Sequence, residues 1–206
     1  SAGWFVAADT YDAKGNIIVQ TGVTEQGQGT EAVIAQVAAT ALGVTMDKIK
    51  VLTGDTDITP YGGGTWASRA AGIGGEATVQ AGHELRQRIL EVGAVMLQAD
   101  AASLDIRENV IVDAVDGRER ISLAEVGRVA YYRPDTLPQE FQSELVVTRH
   151  YVPKAFPFAF TNGVQASYLE VDPATGMVKL LNHWVVEDCG TVINPQLVDE
   201  QIRGGV

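Results

Sequence analysis

Only one cysteine, Cys189, is present in 206 residues, so no internal disulfide can form and no cysteine set exists to hold an iron–sulfur cluster. A single thiol fits a reducing compartment; the expected location is the cytoplasm, or the periplasm if a signal lies outside the sequence. The three histidines, His83, His150 and His183, lack metal-ligand spacing, and no metal is expected to be held directly by side chains of this chain. No apolar run approaches the roughly 18 residues that span a bilayer, and no charged-then-apolar leader opens the sequence. Basic residues are few: 15 Lys and Arg stand against 26 Asp and Glu, a net charge of -11, which opposes non-specific binding to nucleic acid. A bound anion must therefore be held locally.

Apolar residues make up 46% of the sequence, enough to bury a sizeable core. Residues 4–9 and 16–21 read as strands joined by the polar turn Asp12-Ala13-Lys14-Gly15. Between positions 30 and 42, Ile34, Val37, Ala38, Ala41 and Leu42 recur at helical spacing, and Gly43 supplies a left-handed stop. A strand over 48–53 follows. A long helical pattern reaches about Ala99, with Leu85, Ile89, Val92 and Met96 as its core stripe. Gly72, Gly74 and Gly75 lie in its first turns; each costs roughly 1 kcal/mol relative to alanine, which points to close approach of another element or a ligand. Short strands at 104–106 and 110–112 and a helix capped by Ser122 form a small α/β insertion, and 133–140 is the linker candidate. Strands are expected at 145–151, 163–171 and 177–186. The run Phe156-Pro157-Phe158-Ala159-Phe160 reads as core, as a buried contact or as a substrate funnel, Asp172 to Gly176 as a turn, and Pro195 as a helix start. Both ends read as cuts in something longer.

Two glycine loops lead into helices: Gly27-Gln28-Gly29-Thr30 and Gly62-Gly63-Gly64-Thr65-Trp66-Ala67-Ser68. Glycine lets a phosphate approach the exposed N–H groups of a helix start, and hydroxyls add donors, so the pair suits a ligand with several anionic groups. Glycines before helices also simply make turns. Gln28 can both donate and accept beside a ligand. The first loop also satisfies G-x-G-x-x-A with Asp55 after the next strand, so a nicotinamide dinucleotide domain is the alternative. Against it, the preceding strand belongs to a hairpin, and residues 22–26 are long for a tight phosphate turn.

Three segments in register resemble the large subunits of the molybdenum hydroxylases, the family of xanthine dehydrogenase, aldehyde oxidoreductase and aerobic carbon monoxide dehydrogenase. They are Gly22-Val23-Thr24-Glu25-Gln26-Gly27-Gln28-Gly29-Thr30; Gly54-Asp55-Thr56-Asp57 with Gly64-Thr65-Trp66-Ala67-Ser68-Arg69; and Val171-Asp172-Pro173-Ala174-Thr175-Gly176 with Asp188-Cys189-Gly190, Asn194-Pro195 and Gln201-Ile202-Arg203-Gly204-Gly205. The resemblance implies an α+β fold of the molybdenum-cofactor-binding type, with two-layer mixed or antiparallel sheets packed with helices. Residues 1–132 would form a first subdomain with both loops and the insertion, and 133–206 a second part with strands and a cofactor-binding helix.

It further implies that Gln28 sits beside the molybdenum and that Gly27 and Gly29 shape the loop near it. Thr65, Ala67, Ser68 and Arg69 would contact a molybdopterin cofactor of dinucleotide form, Ala166 another part of it, and Gln201 the pterin. The complete enzyme would hydroxylate an aldehyde, purine or other N-heterocycle with oxygen from water, passing electrons to iron–sulfur and FAD groups on partner subunits or domains. The family's catalytic glutamate lies beyond Val206, so the segment alone is expected to be inactive; a non-catalytic cofactor-binding or assembly module is a further alternative. Gln26, Glu31 and Glu200 depart from common family residues and leave the substrate open, and Glu25 reads as structural, as a carboxylate at a helix entry usually is.

Overall fold

The computed structural model describes residues 4–10, 15–59, 61–138, 141, 144–154 and 160–206, the first stretch through its backbone alone. Two compact units divide the chain, Ser1–Pro157 and Phe158–Val206.

In the first unit, β1 (Trp4–Thr10) and β2 (Ile17–Thr21) form the expected antiparallel hairpin, with Val6 opposite Thr21 and Thr10 opposite Ile17. The turn residues 11–14 lie outside the described residues. Along β2, Ile17, Val19 and Thr21 are buried while Ile18 and Gln20 are half-buried, the period of two expected of a strand with one face on a core. Helix α1 (Thr30–Leu42) begins and ends on left-handed glycines, Gly29 at φ 82° and Gly43 at φ 80°. At its end the Gly43 and Val44 N–H groups both donate to the Ala39 carbonyl, satisfying an acceptor the helix leaves open. The chain then enters β3 (Ile49–Leu52), which pairs parallel with β2, so β2, α1 and β3 form a crossover on the edge of the hairpin.

Helix α2 (Gly75–Leu97) packs on α1 where Gly82 is small enough; a Cβ there would lie 2.8 Å from the Cβ of Ala41. Its stripe falls as the spacing predicts: Leu85, Ile89 and Val92 are buried, with Met96 packed against them. Next comes a three-stranded antiparallel sheet of β4 (Leu104–Arg107), β5 (Val110–Asp113) and β6 (Glu119–Ser122). It leads into α3 (Leu123–Tyr132), where the Ser122 hydroxyl accepts from the Glu125 N–H at 3.3 Å. Finally β7 (Val146–Tyr151) pairs antiparallel with β1, giving a mixed sheet of order β3-β2-β1-β7. The division falls at 157/158 where the sequence suggested 132/133, because β7 is hydrogen-bonded along its length to β1.

The second unit is a hairpin of β8 (Asn162–Val171) and β9 (Val178–Asp188), followed by α4 (Pro195–Gly204). Asp172 builds the hairpin turn: its carboxylate accepts from the Ala174 N–H at 2.9 Å and the Thr175 hydroxyl at 2.6 Å, and its carbonyl accepts from the Gly176 N–H at 2.8 Å. Asn194 caps α4, its Oδ1 accepting from the Leu197 N–H at 3.1 Å. Residues 156–159 of the aromatic run lie outside the described residues; Phe160 is exposed. Among the described residues no helix is long and apolar enough to cross a membrane.

Candidate functional site

The loop between β2 and α1 carries an unusual helix start. The N-cap, Gly29, has no side chain, so the first N–H groups of α1 need an acceptor from elsewhere. Glu25 supplies it. One oxygen, Oε1, accepts from the N–H groups of Gln26 (3.0 Å), Gly27 (2.8 Å) and Gly29 (3.1 Å), and Oε2 accepts from that of Glu31 (2.9 Å). Gly27 at φ 93° and Gly29 at φ 82° curl the backbone around the carboxylate, a nest of the kind that binds anions. The sequence suggested that these N–H groups await a ligand's phosphate; the chain's own carboxylate already occupies the seat.

Burial alone would raise the Glu25 pKa, but the donations from Glu31, Gly29, Gly27 and Gln26 outweigh it and hold the pKa below the ordinary 4.5. A lowered carboxylate pKa contributes stability above the unfolded value, and that contribution is lost as pH falls through the folded one. Amide-exchange protection at Gly27, Gly29 and Glu31 is therefore expected to be flat above about pH 5 and to decline below about pH 4.5. Protection unchanged down to pH 3 would contradict the clasp.

Gln28 is turned into the same loop. Its Oε1 accepts from the Gln26 N–H at 2.7 Å, and its Nε2 donates to the Thr24 carbonyl at 3.3 Å and the Thr30 hydroxyl at 2.6 Å. These partners fix which end of the amide is which, since Gln26 N–H can only donate and the Thr24 carbonyl can only accept. Both donors are engaged within the loop, so in this conformation Gln28 keeps only acceptor capacity on Oε1 for a ligand, where the sequence suggested donor and acceptor alike.

The second glycine loop lies directly against the first. Thr65 Oγ1 accepts from the Thr24 N–H at 2.9 Å and donates to the Thr24 carbonyl at 2.7 Å, while the Thr65 N–H reaches Thr24 Oγ1 at 3.3 Å. Gly64 N–H donates to the Gly22 carbonyl at 3.2 Å, and the Gln26 side chain donates to the Thr65 carbonyl at 3.1 Å. The Gln26 side chain thereby makes a third tie between the loops. Contact is so close at Gly62 that a Cβ would lie 2.5 Å from the Gly22 backbone.

Beyond Thr65 the backbone is strained. Ala67 and Ser68 have φ of 51° and 55°, after Gly63 at 76° and Gly64 at 78°. A left-handed conformation costs a non-glycine residue about 1–2 kcal/mol, and such strain gathers at ligand clamps. Arg69 then turns inward and is only 6% exposed; its Nη2 donates to the Gly62 carbonyl at 3.4 Å, and its guanidinium lies 4.4 Å from the Trp66 ring centre. Burial pulls the Arg69 pKa down, with Tyr61 opposing. A π-helical turn, Ala70–Gly74, joins this segment to α2, another local form frequent at functional sites. Of the helix-entry glycines, Gly74 meets the expected close approach, since a Cβ would lie 3.0 Å from Val23; Gly72 and Gly75 face open space.

Together the loops wall a cleft of about 340 Å³ lined by Thr21, Thr24, Thr56, Thr59, Tyr61 and Gly62 to Gly64, within the size range of small-molecule sites. Its lining offers threonine and tyrosine hydroxyls and glycine backbone groups, and none of Gly27, Gln28, Gly29, Thr65, Ala67, Ser68 and Arg69 is part of it. The described residues contain no group of three or more His, Cys, Asp or Glu able to hold a metal.

The structure thus brings Gly27, Gln28, Gly29, Thr65, Ala67, Ser68 and Arg69 into one neighbourhood of the first unit, although the Thr65 hydroxyl is engaged with Thr24. Ala166, opposite Trp184 on β8, and Gln201, on α4, are exposed residues of the second unit. Glu25 is structural, as its place at a helix entry suggested, but neither its partners nor the part played by Thr24 was read from the sequence; the glycine at the N-cap of α1 was the available sign that a remote acceptor had to serve the helix start. The objection to a dinucleotide domain that β2 belongs to a hairpin holds, while β2 also pairs in parallel with β3 as such a domain would require. Yet the turn that would cradle its phosphates is closed by Glu25, and Asp55, the proposed ribose acid, accepts from the Asp57 N–H of its own turn.

A family profile described as a molybdopterin cofactor-binding domain matches residues 7–206. The nicotine 6-hydroxylase large subunit of Paenarthrobacter nicotinovorans is 36% identical over 195 residues, covering 95% of this chain and 24% of that protein. The carbon monoxide dehydrogenase large chain of Hydrogenophaga pseudoflava is 32% identical, over 93% of this chain and 23% of its own. Among solved structures, quinoline 2-oxidoreductase from Pseudomonas putida 86 superposes with a TM-score of 0.87 at 33% identity, over 98% of this chain and 25% of that one. The chain therefore spans about a quarter of the length of these relatives.

Proposed function

Since the chain belongs to the molybdopterin cofactor-binding domain family, we propose that it forms the cofactor-holding part of a larger oxidoreductase that hydroxylates an aldehyde, a purine or another N-heterocycle with oxygen from water. A relative named for nicotine and a structural neighbour named for quinoline favour the N-heterocycle. Bound molybdopterin would supply two-electron redox chemistry at its molybdenum. Gln28 would lie beside that metal, with Gly27 and Gly29 giving its loop the necessary curl. Thr65, Ala67, Ser68 and Arg69 would hold the phosphates of a dinucleotide form, Arg69 contributing charge from a site largely shielded from water. Gln201 would contact the pterin, and Ala166 another part of the cofactor. Electrons would leave through iron–sulfur and FAD groups on partner subunits, in a protein located in the cytoplasm.

The observation that carries this reading is the lacing of two glycine loops through Thr24 and Thr65 along one cleft, next to two consecutive left-handed residues. The full-length protein is expected to purify with molybdenum and to release a nucleotide on acid hydrolysis, and Arg69→Met to lower both about ten-fold. Full-length protein carrying neither molybdenum nor nucleotide would sink the proposal.

A further inference from the structure

We propose that Glu25 is a positioning residue for Gln28, fixing its carboxamide by holding the backbone on both sides of it; this rests on the reading that Gln28 lies at the cofactor. Three observations converge. Oε1 of Glu25 binds the N–H groups of Gly27 and Gly29, the two neighbours of Gln28 in the chain, at 2.8 and 3.1 Å. Gln26 N–H is shared between the Glu25 carboxylate at 3.0 Å and Oε1 of Gln28 at 2.7 Å, so one hydrogen directly couples the two side chains. Thr24, the residue before Glu25, receives Gln28 Nε2 on the same carbonyl that accepts from Thr65, so a shift of the turn would also reach the second loop.

Chemistry requires an ionised carboxylate here. Four N–H donors converge on two oxygens, and charge-assisted bonds of this kind are about twice as strong as neutral ones. A glutamine at position 25 could keep the three donors on one carbonyl oxygen but would set an NH₂ group against the Glu31 N–H, donor facing donor. An aspartate would keep the charge but fall one methylene short. Neither can hold Gly27, Gly29 and Glu31 at once, and the left-handed turn around Gln28 would loosen. Glu25 does not act as acid or base in this scheme; its effect on the reaction passes through the place it gives Gln28.

The test uses the full-length holoenzyme with Glu25→Gln, Gln28→Ala and the double variant. Expected for Glu25→Gln are molybdenum content within about two-fold of wild type and amide exchange at Gly27, Gly29 and Glu31 about ten-fold faster. With it should come a kcat about ten-fold lower at a nearly unchanged KM, and a Mo(V) electron paramagnetic resonance spectrum altered in the direction of Gln28→Ala. In the Gln28→Ala background the same change should add less than about two-fold, since the residue it acts through is gone. Independent, additive losses, or a wild-type spectrum and kcat despite faster exchange, would overturn the proposal. A Gln28→Ala enzyme with wild-type kcat and spectrum would instead overturn the placement of Gln28 at the cofactor, and this proposal with it. Should Glu25→Gln fail to accumulate, Glu25→Asp carries the same cycle, with roughly three-fold faster exchange at Glu31 expected and additivity again the contrary result.

Discussion

Gly62→Ala is expected to separate the two glycine loops and to lower retained molybdenum by at least about ten-fold in the full-length protein, at a stability cost of about 1–3 kcal/mol. The added Cβ would lie 2.5–2.6 Å from Cα, C and O of Gly22, all backbone atoms that no rotamer change can remove. One loop must yield, and the ties nearest the collision are Gly64 N–H to the Gly22 carbonyl and the Thr24–Thr65 pair. Metal analysis and amide exchange at Gly64 and Thr65 check it together. Faster exchange with wild-type molybdenum would mean that the lacing of the loops does not hold the cofactor, and wild-type exchange would mean that the Gly62 contact does not hold the loops together.

Gly43→Ala should cost about 2–4 kcal/mol, combining left-handed strain with overpacking. Gly43 ends α1 at φ 80°, and a Cβ there would come 2.3 Å from the carbonyl oxygen of Ile106, where β4 meets the end of the helix. Gly43→Asn separates the two causes. Asparagine tolerates the left-handed region better than alanine but carries the same Cβ, so equal losses identify the steric contact and a smaller loss for asparagine identifies the dihedral. Urea unfolding followed by tryptophan fluorescence reads both; a loss under about 0.5 kcal/mol for alanine would contradict either cause.

Local chemistry made much of this fold readable. Helix α1 runs from Thr30 to Leu42 as its spacing and Gly43 require, the β8–β9 turn follows from Asp172 and Gly176, and α4 opens where Asn194-Pro195 places it. Strand β6 escaped because Glu119-Arg120-Ile121-Ser122 is short and charged, without the alternation that marks a half-buried strand. The parallel pairing of β2 with β3 is equally silent in the sequence, since hydrophobic period reports which face is buried and not the direction of a neighbour. In the candidate site, the glycines and Gln28 stood out by composition, but Thr24 and Thr65 are 41 residues apart and nothing local marks them as partners. The resemblance to molybdenum hydroxylases, carried by three motifs in register, agrees with the family match over residues 7–206.

A side chain that neutralises its own loop's amides has an energetic consequence for how a guest is received. Ordering a mobile receptor segment during association costs about 0.5–1.5 kcal/mol per immobilised side chain. The Glu25 turn escapes that cost because its curvature is set by internal bonds, so a guest reaching Gln28 as proposed would meet a turn already ordered.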